Sequence, residues 1–284
     1  MKPGQPSRTA LYVAMGRAIA DGEGTTIGFS DPVARELLPQ EERRLVDAYL
    51  TGQRPARARD RWTLRALRRV VSMVTVRTVA IDEAVRTAPS LGQVVILGAG
   101  LDGRAWRMHE LRDSIVFEVD HPATQSFKRE RTAALQPVAR ELRFVPVDFQ
   151  RDSLEQALER AGHDAAAPTV FIWEGVIRYL SRDAVEATLD AIARRAAPGS
   201  RLVANYTIRA GLARWLDNLV LARLGEPIRS AISPSEFAAL LAARGFRVIS
   251  DTDAAGWSAA PRRGRWLAGW GWSGLRHILV ASCT

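Results

Sequence analysis

The residues best suited to chemistry lie in and beyond the stretch Val94-Val95-Ile96-Leu97-Gly98-Ala99-Gly100-Leu101-Asp102-Gly103. Four apolar residues run into G-x-G-x-x-G, a loop whose glycines let the backbone turn tightly and approach a ligand with no Cβ in the way. Three acids follow, each closing an apolar run: Asp120 after Ser114–Val119, Asp148 after Arg143–Val147 and Glu174 after Thr169–Trp173. Asp120 lies about twenty residues past the loop, where an acid binds the ribose hydroxyls of a nucleotide cofactor. Loop and acid together suit NAD(P) or S-adenosylmethionine (SAM) and do not choose between them.

Placing these groups side by side requires a sheet. From residue 94 onward, apolar strand-like runs alternate with helical segments. The strands are Val94–Leu97, Ser114–Val119, Arg143–Val147, Thr169–Trp173, Arg201–Asn205, Phe246–Ser250 and His277–Ala281. Helices fit at Ser153–Ala161, Arg182–Ala196 and Ser235–Arg244, the last stopped by Gly245. This rhythm implies a mostly parallel sheet with helices on both faces, binding ligands at the carboxyl ends of its strands. No convincing crossover helix separates Ser250 from His277, so strands six and seven are expected to form a hairpin with an antiparallel last strand. SAM methyltransferase sheets share that feature; two-halved dehydrogenase sheets do not. Upstream, the pattern predicts helices over 7–20 (opened by Ser7), from Ser30 or Asp31 with Pro32 in the first turn, and over 60–87. The expected organisation is a helical cap, residues 1–90, and a cofactor-binding core, residues 91–284.

Composition narrows the classes. The chain has 284 residues and a net charge of +9, carried almost wholly by arginine, since Lys2 and Lys128 are the only lysines. The run Arg54–Arg69 lacks interleaved aromatics in a clean patch, so a nucleic-acid partner is not expected. Cys283 is the only cysteine, which excludes an internal disulfide and a cysteine-built metal site. No apolar run suits a membrane span or a signal peptide, so a cytoplasmic location is expected.

Three features favour SAM. Its amino-acid tail is a zwitterion beside a sulfonium cation, and Asp148, Glu174 and Arg77 supply acids and a carboxylate partner. The Tyr-x-x-x-Lys pair of short-chain dehydrogenases is absent: the fourth residues after Tyr12, Tyr49, Tyr179 and Tyr206 are Gly16, Gln53, Asp183 and Ala210. The glycine loop sits behind a helical cap, whereas many Rossmann dehydrogenases begin with it. An NAD(P)-binding oxidoreductase is the alternative.

The stretches "RTVAIDEAV", "VVILGAGLDGRAWRM", "VFEVDHP", "FVPVDF", "VFIWEGVIRYL" and "VANYTI", in this order and spacing, resemble the leucine carboxyl methyltransferase family, including its bacterial polyketide O-methyltransferase branch. The resemblance covers roughly residues 8–210. It implies a class I, Rossmann-like SAM methyltransferase fold and a cofactor site. Arg77 would pair with the SAM carboxylate, Gly98 and Gly100 would lie against the amino-acid tail, and Asp120 would hold the ribose, with His121 beside it. Asp148 and the Phe149 N–H would meet the adenine, and Glu174 would face the methionine end. Arg8 or Arg17 could fill a further basic position. Gly103 departs from the family, which often has Ser or Thr there.

Each residue also has a plainer role available. Arg77 could pair with Asp82, Gly103 could serve packing alone, and His121 before Pro122 could cap a helix. The strand-end acids could cap turns, and His109, His163 and His277 read as structural. Arg178, Tyr179, Tyr206 and Arg209 follow strands four and five and could face a methyl acceptor. Arg178 and Tyr206 are the candidate catalytic pair, and Arg178 and Arg209 could clamp a carboxylate. Such an acceptor is already ionised and needs no base, in keeping with a small natural product or peptide terminus. Trp257, Trp266, Trp270 and Trp272 could form a lid or a core.

Overall fold

The computed structural model describes residues 7–24, 28–208, 228–257 and 276–284. Seven strands form one sheet in the order β3-β2-β1-β4-β5-β7-β6. They are β1 (Gln93–Leu97), β2 (Ile115–Asp120), β3 (Glu141–Pro146), β4 (Thr169–Trp173), β5 (Arg201–Thr207), β6 (Phe246–Asp253) and β7 (Arg276–Cys283). Strands β1 to β5 pair in parallel, and β7 runs antiparallel to both β5 and β6. This is the expected Rossmann-like methyltransferase sheet with its antiparallel last strand. The strand order reverses between β1 and β4, so the ends of those strands open a crevice at the switch point.

Four helices precede the sheet: α1 (Arg8–Glu23), α2 (Val33–Glu36), α3 (Gln40–Leu50) and α4 (Ala58–Arg86). Ser7 caps α1 by accepting from the Ala10 N–H, and Asp31 caps α2 by accepting from the Ala34 N–H at 3.1 Å. The helix α3 has no counterpart in the sequence reading, although Leu45, Val46 and Tyr49 fall at helical spacing and join one core, Val46 fully buried. Ala14, Ile19, Leu37, Val46, Leu67 and Val71 pack together, and Leu101 of the glycine loop joins them. The second half of α4 lies on the sheet, where Val76, Ile81 and Val85 meet Val94, Ile96, Val170 and Ile172.

The remaining helices are α5 (Arg104–Arg107), α6 (Pro122–Thr132), α7 (Leu154–Arg160), α8 (Arg182–Arg195), α9 (Pro234–Ala242) and α10 (Ala254–Trp257). Helices α7, α8 and α9 cover the second face through Leu158, Leu189 and Phe237, packed on Val95, Phe171 and Tyr206. Alternate strand residues thus face two cores, and β1 and β4 are buried throughout. Among the described residues, no helix is long and apolar enough to cross a membrane.

Candidate cofactor and active site

The loop after β1 folds around two left-handed glycines, Gly98 (φ +67) and Gly100 (φ +50). A Cβ on Gly98 would lie 2.1 Å from Val176 Cγ2, so this position tolerates only glycine on two counts. Asp120, at the end of β2, holds the loop: its Oδ2 accepts from the Gly100 N–H and its Oδ1 from the His121 N–H at 2.6 Å. Burial pushes the Asp120 carboxyl above its ordinary range, partly offset by these two N–H groups. Each oxygen keeps a lone pair for a further donor, as a ribose hydroxyl requires.

Behind the loop lies a buried charge network. Arg77 Nε meets Glu174 Oε1 at 2.7 Å, and Arg104 Nη1 meets Glu174 Oε2 at 2.9 Å. Arg104 also reaches Asp82 Oδ1 at 2.7 Å and pairs with Asp102, while Arg107 Nη1 reaches Asp82 Oδ2 at 2.6 Å. Asp31 joins Arg107 and Arg17 at 3.5 and 3.4 Å, and Arg17 donates to the Leu101 carbonyl. Four arginines face four acids, so the set is neutral, as buried charge must be. Burial alone would raise Glu174, but Arg77 and Arg104 outweigh it and hold the carboxyl below its ordinary range. Arg77 therefore pairs with Glu174, and Asp82 is taken by Arg104 and Arg107.

Arg104 escaped the sequence reading. It is wholly buried and touches Asp82, Asp102 and Glu174. Its position directly after the loop, in "GLDGRAW", was the available signal.

The other expected residues divide. His121 lies beside Asp120, and its Nδ1 accepts from the Ala123 N–H at 3.2 Å, capping α6. Asp148 closes a turn, accepting from the Gln150 N–H at 3.0 Å, and Phe149 packs its ring partly into the core. Arg178 lies on the helical turn Ile177–Tyr179 just past Glu174, and its Nε and Nη2 are buried with no hydrogen-bond partner.

Tyr206 departs from expectation. It is 1% exposed, packs edge-on against Phe237, and donates its hydroxyl to Asp251 Oδ2. Burial and the Asp251 carboxylate push the phenol far above its ordinary range, so it is a fixed donor rather than a group free to meet an acceptor. Trp257 is buried and donates to the Thr252 carbonyl at 2.9 Å, which makes it core rather than lid. Arg209, Trp266, Trp270 and Trp272 lie outside the described residues.

SAM fits the residues present. Glu174 and Arg77 place an anion and a cation beside the two left-handed glycines Gly98 and Gly100, charges complementary to the ammonium and carboxylate of an amino-acid tail, and each Asp120 oxygen keeps a lone pair that a hydroxyl donor can use.

Known proteins agree with this architecture. The family model described as leucine carboxyl methyltransferase matches residues 10–193. A candidate SAM-dependent methyltransferase of Mycobacterium tuberculosis is 38% identical over 202 residues, covering 68% of this chain and 64% of the relative. Its counterpart in Mycolicibacterium gilvum is 33% identical over 225 residues, covering 78% and 71%. A crystal structure of a candidate methyltransferase from Thermobifida fusca shares the fold, with a TM-score of 0.62, 19% identity, and coverage of 99% of this chain and 96% of that one. None of these favours an NAD(P)-dependent oxidoreductase. Matched from the first helix through the glycine loop to all three strand-end acids, the chain belongs to the leucine carboxyl methyltransferase family.

Proposed function

We propose that the protein is a SAM-dependent O-methyltransferase acting on a carboxylate of a small natural product or a peptide terminus. The observation that carries this reading is the Arg77–Glu174 pair beside Gly98, at the switch point of the sheet. Bound there, SAM supplies a methyl group made electrophilic by its sulfonium. Arg77 would turn its guanidinium to the SAM carboxylate, for which a forked donor is well shaped. Glu174, kept ionised by Arg104 as well, would face the ammonium. Gly98 and Gly100 bring backbone against the amino-acid tail, Asp120 takes the ribose with His121 alongside, and Asp148 and the Phe149 N–H take the adenine.

Arg178 supports the acceptor half of the reading. Two buried N–H groups without partners are costly, and an acceptor carboxylate would satisfy both. Such an acceptor is ionised at neutral pH, so the protein has only to align it and exclude water.

Calorimetry with SAM, S-adenosylhomocysteine and NADPH tests the cofactor. Binding of the first two is expected, and binding of NADPH without SAM overturns it. Methyl-labelled SAM with a panel of carboxylic acids tests the acceptor. Label is expected in a base-labile ester; label only in base-stable products overturns the carboxylate assignment.

A further inference from the structure

Three strands bring together a polar cluster that the site above does not use. His277 Nδ1 lies 2.9 Å from Asp251 Oδ1, and Asp251 Oδ2 accepts from the Tyr206 hydroxyl. The three residues come from β7, β6 and β5. Tyr206 is buried, whereas the His277 and Asp251 side chains remain 14% and 17% exposed.

The register places the cluster at the carboxyl edge of the sheet. Leu97 stands beside Trp173, Trp173 beside Ala204, and Ala204 beside Leu279. One rung further out come Gly98, Glu174, Asn205 and Ile278, and the next rung holds Tyr206 opposite His277. At ~4.8 Å between strands and ~3.4 Å per residue, the His277 backbone stands ~10 Å from that of Glu174, a gap that leaves room for one acceptor oxygen between the imidazole on one side and the cofactor methyl on the other. Tyr206 shares its face of the sheet with Val176 and Ile177, which border Gly98 and Arg178.

The chemistry of the arrangement is specific. A carboxylate is an acceptor only, so the His277 nitrogen facing Asp251 carries the proton. In the neutral imidazole Nε2 is then the acceptor nitrogen, the tautomer of a general base oriented by an acid. Tyr206, held protonated, donates to the second oxygen of Asp251 and fixes the carboxylate. Asp253 of β6 stands opposite His277 in the register and adds a second acid on the same side.

We propose that His277, oriented by Asp251, is a catalytic base that allows this site to methylate hydroxyl acceptors of the phenol class as well as carboxylates. The acceptor O–H bond breaks and its proton passes to His277 Nε2. The oxygen forms a bond to the methyl carbon as the carbon–sulfur bond breaks, and the sulfur keeps the electron pair, turning sulfonium into thioether. This goes beyond the carboxylate assignment and rests only on the SAM half of the proposed function.

The probe is para-nitrophenol, whose absorbance reports its ionisation and can be read on the full chain without SAM. Bound to the wild-type protein, it is expected to ionise at lower pH than in solution. His277→Gln is expected to abolish that shift and to cut methylation of phenols by ~100-fold or more. Asp251→Asn, which frees the imidazole to take the wrong tautomer, is expected to reduce both in part. S-adenosylhomocysteine binding, followed by calorimetry, shows that each variant is folded. A wild-type protein that leaves para-nitrophenol unshifted or unbound overturns the proposal. So do a folded His277→Gln with the wild-type shift, and, should that variant not fold, a folded Asp251→Asn with it. The carboxylate assignment stands or falls separately, on the base-labile ester.

Discussion

Gly103 makes room for Asp31: a Cβ on this glycine would lie 2.7 Å from the Asp31 Oδ1. Asp31 is fully buried between Arg17 and Arg107 and caps α2, so it cannot swing aside without losing those partners. Gly103 itself has φ −106, which any residue adopts. The last glycine of the G-x-G-x-x-G pattern therefore serves the docking of the N-terminal helices onto the loop, and the first two supply its left-handed turns. Gly103→Ala is expected to destabilise the fold by about 1–3 kcal/mol, the usual range for an overpacked core. Urea denaturation measures this. A midpoint equal to wild type would show that the N-terminal helices yield freely.

The two arginines on Glu174 are expected to separate on mutation. Arg77→Ala leaves Glu174 paired with Arg104, so the fold should survive. SAM affinity should fall by about 10–100-fold, the worth of a charged hydrogen bond. Arg104→Ala strips partners from Asp82, Asp102 and Glu174 at once. A buried pair broken on one side costs about 3–5 kcal/mol, so this variant should lose stability before it loses affinity. Thermal melts and calorimetry on both proteins distinguish the outcomes. Unchanged SAM affinity in Arg77→Ala would remove Arg77 from the cofactor site.

Much of this was legible because the sheet writes its geometry into local patterns. Apolar runs ending in Gly98, Asp120 and Glu174 mark strand ends, and the missing crossover before His277 marks the antiparallel strand. What was not legible depends on which distant side chains meet. Arg77 has Asp82 within two turns on its own helix, yet it pairs with Glu174, 97 residues away. Tyr206 lies just past an apolar run, as an acceptor residue would, but the return of β6 brings Asp251 to its hydroxyl. That same return gave His277, with no ligand spacing in the sequence, a carboxylate partner. The short helix α3 opens on five polar residues, Gln40 to Arg44, and carries its apolar spacing only in its second half, at Leu45, Val46 and Tyr49.

Arg178 is expected to act on the acceptor alone. It sits one turn beyond Glu174, and its buried Nε and Nη2 have no hydrogen-bond partner. Arg178→Ala should raise the KM for a carboxylate acceptor by about 10-fold or more, with the SAM KM little changed. Arg178→Lys should recover only part, because an ammonium cannot present a planar fork. Steady-state kinetics with each substrate varied in turn provide the check. Equal effects on both KM values would assign Arg178 to the fold.

His163 should make the protein sensitive to acid in a defined window. It is 4% exposed, and Arg195 lies 3.3 Å from its Nδ1 while Thr169 Oγ1 lies 3.0 Å from its Nε2. Burial, reinforced by the Arg195 charge, lowers its pKa from 6.5 to about 4. The folded protein thus binds this proton less readily than the unfolded chain. The stability that follows is fully present above pH 6.5 and is lost as pH falls through about 4. It amounts to roughly 2 kcal/mol once partial solvent screening is allowed for. His163→Gln keeps a donor for Thr169 and carries no titrating group, so its stability should fall less steeply across that window. Denaturation midpoints measured against pH test this, and parallel profiles for the two proteins would show that protonating His163 costs the fold nothing.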